Sequence, residues 1–141
     1  MSLHSTVKNQ VASLVATPAL NNLLALAARA LMAFIFITAG YGKLTGYAGT
    51  QGYMESMGVP GFMLPLVILV ELGGGLALLF GFQTRVAAAA LAGFSVISGI
   101  IFHGGSADQM QQIMFMKNLA MAGGLLAFVR TGAGKPSLDG E

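Results

Sequence analysis

Along the chain, apolar residues come in four nearly unbroken runs, about 21–44, 62–82, 85–103 and 113–130, separated by short stretches where glycine and polar residues gather. A hydrocarbon core of about 30 Å needs roughly 20 residues of α-helix to cross it, and each run has about that length. In lipid every backbone group must be bonded within the protein, so runs this rich in Ala, Leu and Gly are helices rather than strands. The pattern predicts an all-α integral membrane four-helix bundle over residues 21–130. Ahead of it, Leu3, Val7, Val11, Leu14 and Val15 recur at helical spacing until Thr17 and Pro18 break the run. That predicts a short helix lying on the membrane surface within residues 1–20, while 131–141 read as a tail. Residues 45–61 and 104–112, Gly-rich and polar, read as the two loops of the far side.

Composition changes the picture mainly by exclusion. With 55% hydrophobic and 9% charged residues among 141, a soluble fold would lack the polar surface to cover itself. The absence of Cys removes disulfides, thiol redox chemistry, iron–sulfur clusters and covalently attached haem. A net charge of +2, scattered along the chain, provides no basic stripe for a phosphate backbone, so nucleic acid is set aside as a partner. The first twenty residues lack the charged start and cleavage site of a secretory signal, so the first span is read as retained. Placing the N-terminus, the 81–85 turn and the tail on one side gathers Lys8, Arg85, Arg130 and Lys135 there, while Glu55 and Asp108 fall on the other. Positive residues beside spans favour the cytoplasm, so both termini are expected to be cytoplasmic, in a multi-pass bacterial inner-membrane protein.

Charged residues inside the spans are costly and normally have a partner or a task. Glu71 is the one carboxylate in the second run, and Arg29 lies in the first. Counting inward from residue 21, Arg29 is roughly 12 Å deep; from residue 62 on the opposite face, Glu71 is roughly 13 Å deep. The two levels differ by about 5 Å across the core, within reach of an arginine, so Arg29 is expected to pair with Glu71. Asn22, Arg29, Phe36 and Lys43 recur every seven residues and share one helix side. Ser95, Gly99 and His103 line up on the third span, as do Lys117, Ala120 and Gly124 on the fourth. A polar column is expected from Arg29 and Glu71 toward the outer loops, where Lys43, His103 and Lys117 gather. Each residue also has a plain structural reading: an Arg29–Glu71 pair can merely fix helix order, His103 can be solvated at a helix end, and Lys43 and Lys117 can snorkel. Asn118 reads as an interhelical hydrogen-bonding residue.

Other signals are weaker. Met110, Met114 and Met116, with Met54 and Met57 in the other outer loop, offer thioethers of the kind that hold Cu(I), although Met also fills apolar gaps. His103 alone makes no metal site, and none is assigned. The glycines at 73–75 and 123–124 lack phosphate-loop spacing and read as close helix packing. No Ser–His–Asp arrangement or carboxylate cluster points to a hydrolase. The segments beginning at Glu71 and Asn118 echo each other, each with a polar residue, a glycine pair and leucines, as a duplicated hairpin would produce.

Taken in order, Arg29 with Phe36, "AGYGKL" at 39–44, "GVP" at 58–60, "ELGGGLALLFGFQTRVAA" at 71–88, "GGLL" at 123–126 and "GAGKPSLD" at 132–139 resemble the DoxX family of small bacterial membrane proteins. One departure is Pro136, where similar proteins often carry an aromatic before "SLD". The resemblance implies a four-helix cytoplasmic-membrane protein, some of whose relatives associate with quinol oxidases, thiosulfate-to-quinone electron transfer or membrane oxidoreductase complexes that handle oxidative stress, while most have no settled activity. Arg29, Lys43, Glu71 and Arg85 match the family's polar pattern, and no catalytic motif transfers with them. Three functions follow as expectations: an accessory subunit of a quinone-linked redox system binding a quinone or small lipophilic ligand near Arg29 and Glu71, with a membrane redox partner supplying electrons; a small transporter or permeability protein working as a homo-oligomer; and a purely structural membrane subunit.

Overall fold

A computed structural model describes residues 1–141. The fold is all helical, and four helices are long and apolar enough to cross a membrane: Pro18–Thr45, Gly61–Phe80, Thr84–His103 and Gln109–Thr131. Helix α1 (Leu3–Val15) precedes them; Ser2 caps it by accepting from the Ser5 N–H, and none of its residues is buried. The first span is α2 (Pro18–Thr45), opened by Pro18 in the first turn, where a missing N–H costs nothing. At 28 residues it is about 42 Å long, so it overshoots a ~30 Å hydrocarbon core.

Residues 45–61, expected to be a loop, contain a helix, α3 (Tyr47–Ser56). Its Met54 is buried against Leu64 and Ile68, and that apolar contact holds the segment helical despite Gly49 and Gly52. The second span is composite: a 3₁₀ turn over Gly61–Met63, α4 (Leu64–Ile68), a π turn over Leu69–Gly73, and α5 (Gly74–Phe80). The third and fourth spans are α6 (Thr84–His103) and α7 (Gln109–Thr131).

The spans form two hairpins, α2 with the second span and α6 with α7. On the side of the termini they share one core, in which Ala33, Phe36, Leu78, Ala88, Leu91, Ala92, Ala122 and Leu125 are buried. On the loop side they part: no Cα of α4 lies within 8 Å of any Cα of α6 or α7. The inward stripe of α7 is Asn118, Ala122 and Leu125. This corrects the expected Lys117–Ala120–Gly124 face, since Ala120 is exposed; the bulkier Leu125 is better buried than an alanine would be, and it sets the helix's rotation.

Two tight approaches fix the first hairpin. A Cβ added at Gly40 would lie 2.8 Å from the Leu72 backbone nitrogen, and one at Gly75 would lie 2.9 Å from Ile37 Cγ1. Glycine at these positions lets the two backbones come together beside the π turn.

Candidate functional site

The two interior charges that the sequence suggests as a pair are not partners. Glu71 Oε1 lies 2.7 Å from Lys43 Nζ, a close ion pair that lacks the alignment of a hydrogen bond. Arg29, 1% exposed, donates from Nη1 to the Leu79 carbonyl at 3.2 Å and from Nη2 to the Pro136 carbonyl. The reason lies in the helix ends. Leu79 is in the last turn of α5, where carbonyls have no intrahelical donor and the helix dipole favours a cation. The guanidinium therefore finds its negative charge in backbone oxygens, level with the end of the second span rather than its middle. Gly81, at φ +68°, closes that helix, and a Cβ on it would stand 2.5 Å from Arg29 Nη1.

The tail completes this end. Leu138 and Asp139 donate their N–H groups to the carbonyls of Phe80 and Gly81 at 3.0 and 2.8 Å. The Asp139 carboxylate accepts from the N–H of Gln83 at 2.8 Å and of Thr84 at 2.9 Å, where α6 begins. The Thr84 N–H bond above all, with the Gln83 bond and the Arg29 charge adding to it, holds the Asp139 carboxyl below the ordinary carboxylate range. Arg85 likewise closes α7, donating from Nη1 to the carbonyls of Val129 and Arg130 at 2.9 and 2.7 Å. The tail's docking, despite the proline before Ser137, is a part of the structure that sequence reasoning left without a role.

At the opposite end the parting of the hairpins leaves an open cavity of about 510 Å³. Lys43, Glu71, His103 and Lys117 all line it, so four of the five residues singled out from sequence come together and Arg29 does not. Its walls are largely apolar, with Phe36, Phe94 and Met121 among them, and Ser95, Ser98 and Asn118 adding polar atoms. Asn118 Nδ2 donates to the Ser95 carbonyl at 3.0 Å, which ties α7 to α6 as expected of an interhelical amide. His103 Nδ1 is hydrogen-bonded to the Gln111 side-chain amide at 2.5 Å, which ties the end of α6 to the start of α7. Phe102 and Tyr53, which sequence reasoning missed, stack at 5.6 Å between ring centroids and link α6 to α3 across the loop-side mouth.

Glu71 stands inside the π turn. One extra residue in the ladder widens the helix there, a distortion that recurs at functional sites. The cavity does not continue through the protein, because the shared core with Leu78, Leu91 and Leu125, each fully buried, fills the bundle between it and Arg29. Of the methionines grouped from sequence, Met54 is buried with Leu64 and Ile68, whereas Met110 and Met116 are exposed.

The fold and site define a small polytopic membrane protein with a cavity between its two hairpins on the loop side. The DoxX family pattern matches residues 24–104, and the chain belongs to that family. It is 60% identical over 114 residues to the inner membrane protein YqjF of Escherichia coli strain K12, covering 81% of this chain and 88% of that one. It is 36% identical over 123 residues to the inner membrane protein YphA of the same organism, covering 82% and 88%. A shorter match, 36% over 58 residues and 41% and 43% of the two chains, joins it to CatD of Bacillus subtilis strain 168, which carries a provisional oxidoreductase name. No solved structure matches. The chain is a multi-pass inner-membrane protein.

Proposed function

We propose that the chain is an accessory subunit of a quinone-linked redox system and holds a quinone or similar lipophilic ligand in the loop-side cavity. The observation that carries this reading is the cavity itself: apolar walls converge on a buried carboxylate paired with a lysine at a π turn. Such a site suits a hydrophobic ring bearing a carbonyl. The Lys43 ammonium would donate to the carbonyl oxygen, and Glu71 would exchange a proton with it when the ligand is reduced. His103 and Lys117 complete the polar set toward the mouth, while Arg29 is assigned to holding the fold. The spans contain no Cys and, apart from His103 at the end of the third, no His, so electrons are assigned to a membrane partner. The oxidoreductase name of CatD supports the redox association. Because the cavity ends blind against the core, holding a ligand suits it better than conducting one across the membrane.

The termini are assigned to the cytoplasm, since Arg85, Arg130 and Lys135 all lie at the tail side. The cavity then faces the outer leaflet. Purification from native membrane in mild detergent, followed by solvent extraction and mass spectrometry, tests the function. Quinone recovered with wild type and lost with Glu71→Gln supports it; a folded wild type that yields none refutes it.

A further inference from the structure

The cavity has two openings of different character. Toward the loops its mouth is spanned by the Tyr53–Phe102 ring pair. Toward the side, between α4 and α6, the backbones part, with no Cα pair within 8 Å, and Phe102 of α6 packs against the Met54, Leu64 and Ile68 cluster at the loop end of that gap. Leu66, 54% exposed, and Ile97, 60% exposed, line both the cavity and the outer surface of the spans. Met63 and Ile101 do the same. The lining residues of the first and fourth spans, by contrast, are at most partly exposed, so the gap has one direction. At bilayer depth an apolar surface in contact with the outside is in contact with acyl chains, not water.

We propose that this cleft is a lateral portal, and that the cavity is loaded from within the bilayer by a long-tailed prenyl quinone whose head meets Lys43 and Glu71 while its chain leaves between Leu66 and Ile97. The inference rests on the quinone reading for the head group; the portal itself rests on the geometry alone. A water-soluble head would have no need of a gap walled by Leu, Ile and Met, and a chain that remains in lipid need not be desolvated to bind. The occupant is thus selected by its tail as much as by its ring.

The chain contains neither Trp nor Cys, so introduced probes report without background. Phe94→Trp, or Ile101→Trp should the first variant fold poorly, puts a single indole on the cavity wall, and quinones quench indole fluorescence on contact. The portal is closed by joining Leu66→Cys to Ile97→Cys with a bis-maleimide, because a disulfide cannot bridge Cα atoms more than about 7 Å apart and those of α4 and α6 are all beyond 8 Å. In lipid nanodiscs, bridging is expected to slow quenching by a long-tailed quinone at least tenfold and to leave quenching by a fully methylated tailless benzoquinone within twofold. Equal rates for the tailed quinone with and without the bridge overturn the portal, as does equal slowing of both quinones. If neither quinone quenches the unbridged protein, the quinone reading fails. Nanodiscs of brominated phosphatidylcholine then read the portal separately, through acyl-chain quenching that the bridge abolishes. Quenching by brominated chains that the tailed quinone does not relieve assigns the cleft to bulk lipid and overturns the proposed occupant.

Discussion

The two ends of the bundle treat a buried charge in opposite ways. At the tail end Arg29 is buried and donates to the backbone oxygens of Leu79 and Pro136. At the loop end Glu71 has a single lysine and an open cavity. A cation whose two terminal nitrogens are held by carbonyls at a helix end, with the Asp139 carboxylate near it, has its charge offset within the fold even though its Nε is left buried without a partner. A carboxylate whose partner is itself 30% exposed, in a site with space for a ring, can exchange that partner for a substrate. Burial alone therefore does not distinguish the two charges; what lies next to each of them does.

The largest effect that would break this contrast is expected from Arg29→Met. Two charge-assisted hydrogen bonds and the tail's anchor are lost together, at a cost of about 3 kcal/mol or more. Denaturation in mixed micelles followed by circular dichroism should show that loss, while quinone content per folded protein stays near the wild-type value. If Arg29→Met unfolds nothing but empties the cavity, the assignment of the two ends is reversed. Next in size is Gly40→Ala, where the new methyl meets the backbone of Leu72. Overpacking of this kind costs about 2 kcal/mol, and because Leu72 is in the π turn it should also disturb ligand retention.

Much of this was legible in the sequence, and the failures have identifiable causes. Run length determined the four spans, and helical spacing placed Lys43 on the side of α2 that faces the bundle, whereas on α7 it chose the face one residue away from the buried Asn118, Ala122 and Leu125 stripe. The partner of Arg29 was not legible because charge matching considers side chains alone, whereas its partners are carbonyls of a helix terminus and of a tail folded back from over one hundred residues away. Depth counting compounded the error. It began at residue 21 and treated spans of unequal length as ending in common planes, yet α2 starts at Pro18 and continues to Thr45. The π turn left no trace in the residue pattern, since one inserted residue within an apolar run changes no polarity. Residues 45–61 read as loop because Gly46, Gly49 and Gly52 punctuate them, although Met54 supplies the apolar contact that a docked helix needs.

Glu71→Gln sharpens the comparison from the other end. Lys43 is partly exposed and can turn its ammonium toward the loop-side water, so removing the carboxylate should cost only about 1 kcal/mol in stability. Ligand content should nevertheless fall to the detection limit, the reverse of the Arg29→Met result. Equal and parallel losses of stability and ligand in both variants would mean that the two ends do not differ in role.

The smallest effect concerns the strap that makes the tail end closed. Asp139 accepts from the first N–H groups of α6, as an N-cap side chain does, although it comes from the far end of the chain. Asp139→Asn is therefore expected to cost about 0.5 kcal/mol at neutral pH, because the amide oxygen can still accept one of the two N–H groups while its NH2 turns a donor toward the other. The pH dependence has a definite sign. The carboxyl is held below its unfolded value, so the stability it adds is fully present above the ordinary carboxylate range near ~4 and is lost as pH falls through the lower folded value. Below that point Asp139 is protonated in both states, and wild type and Asp139→Asn should converge in stability. Parallel wild-type and variant curves from neutral pH to pH ~2 would show that the carboxylate does not cap α6, leaving only the backbone bonds of Leu138 and Asp139 to hold the tail.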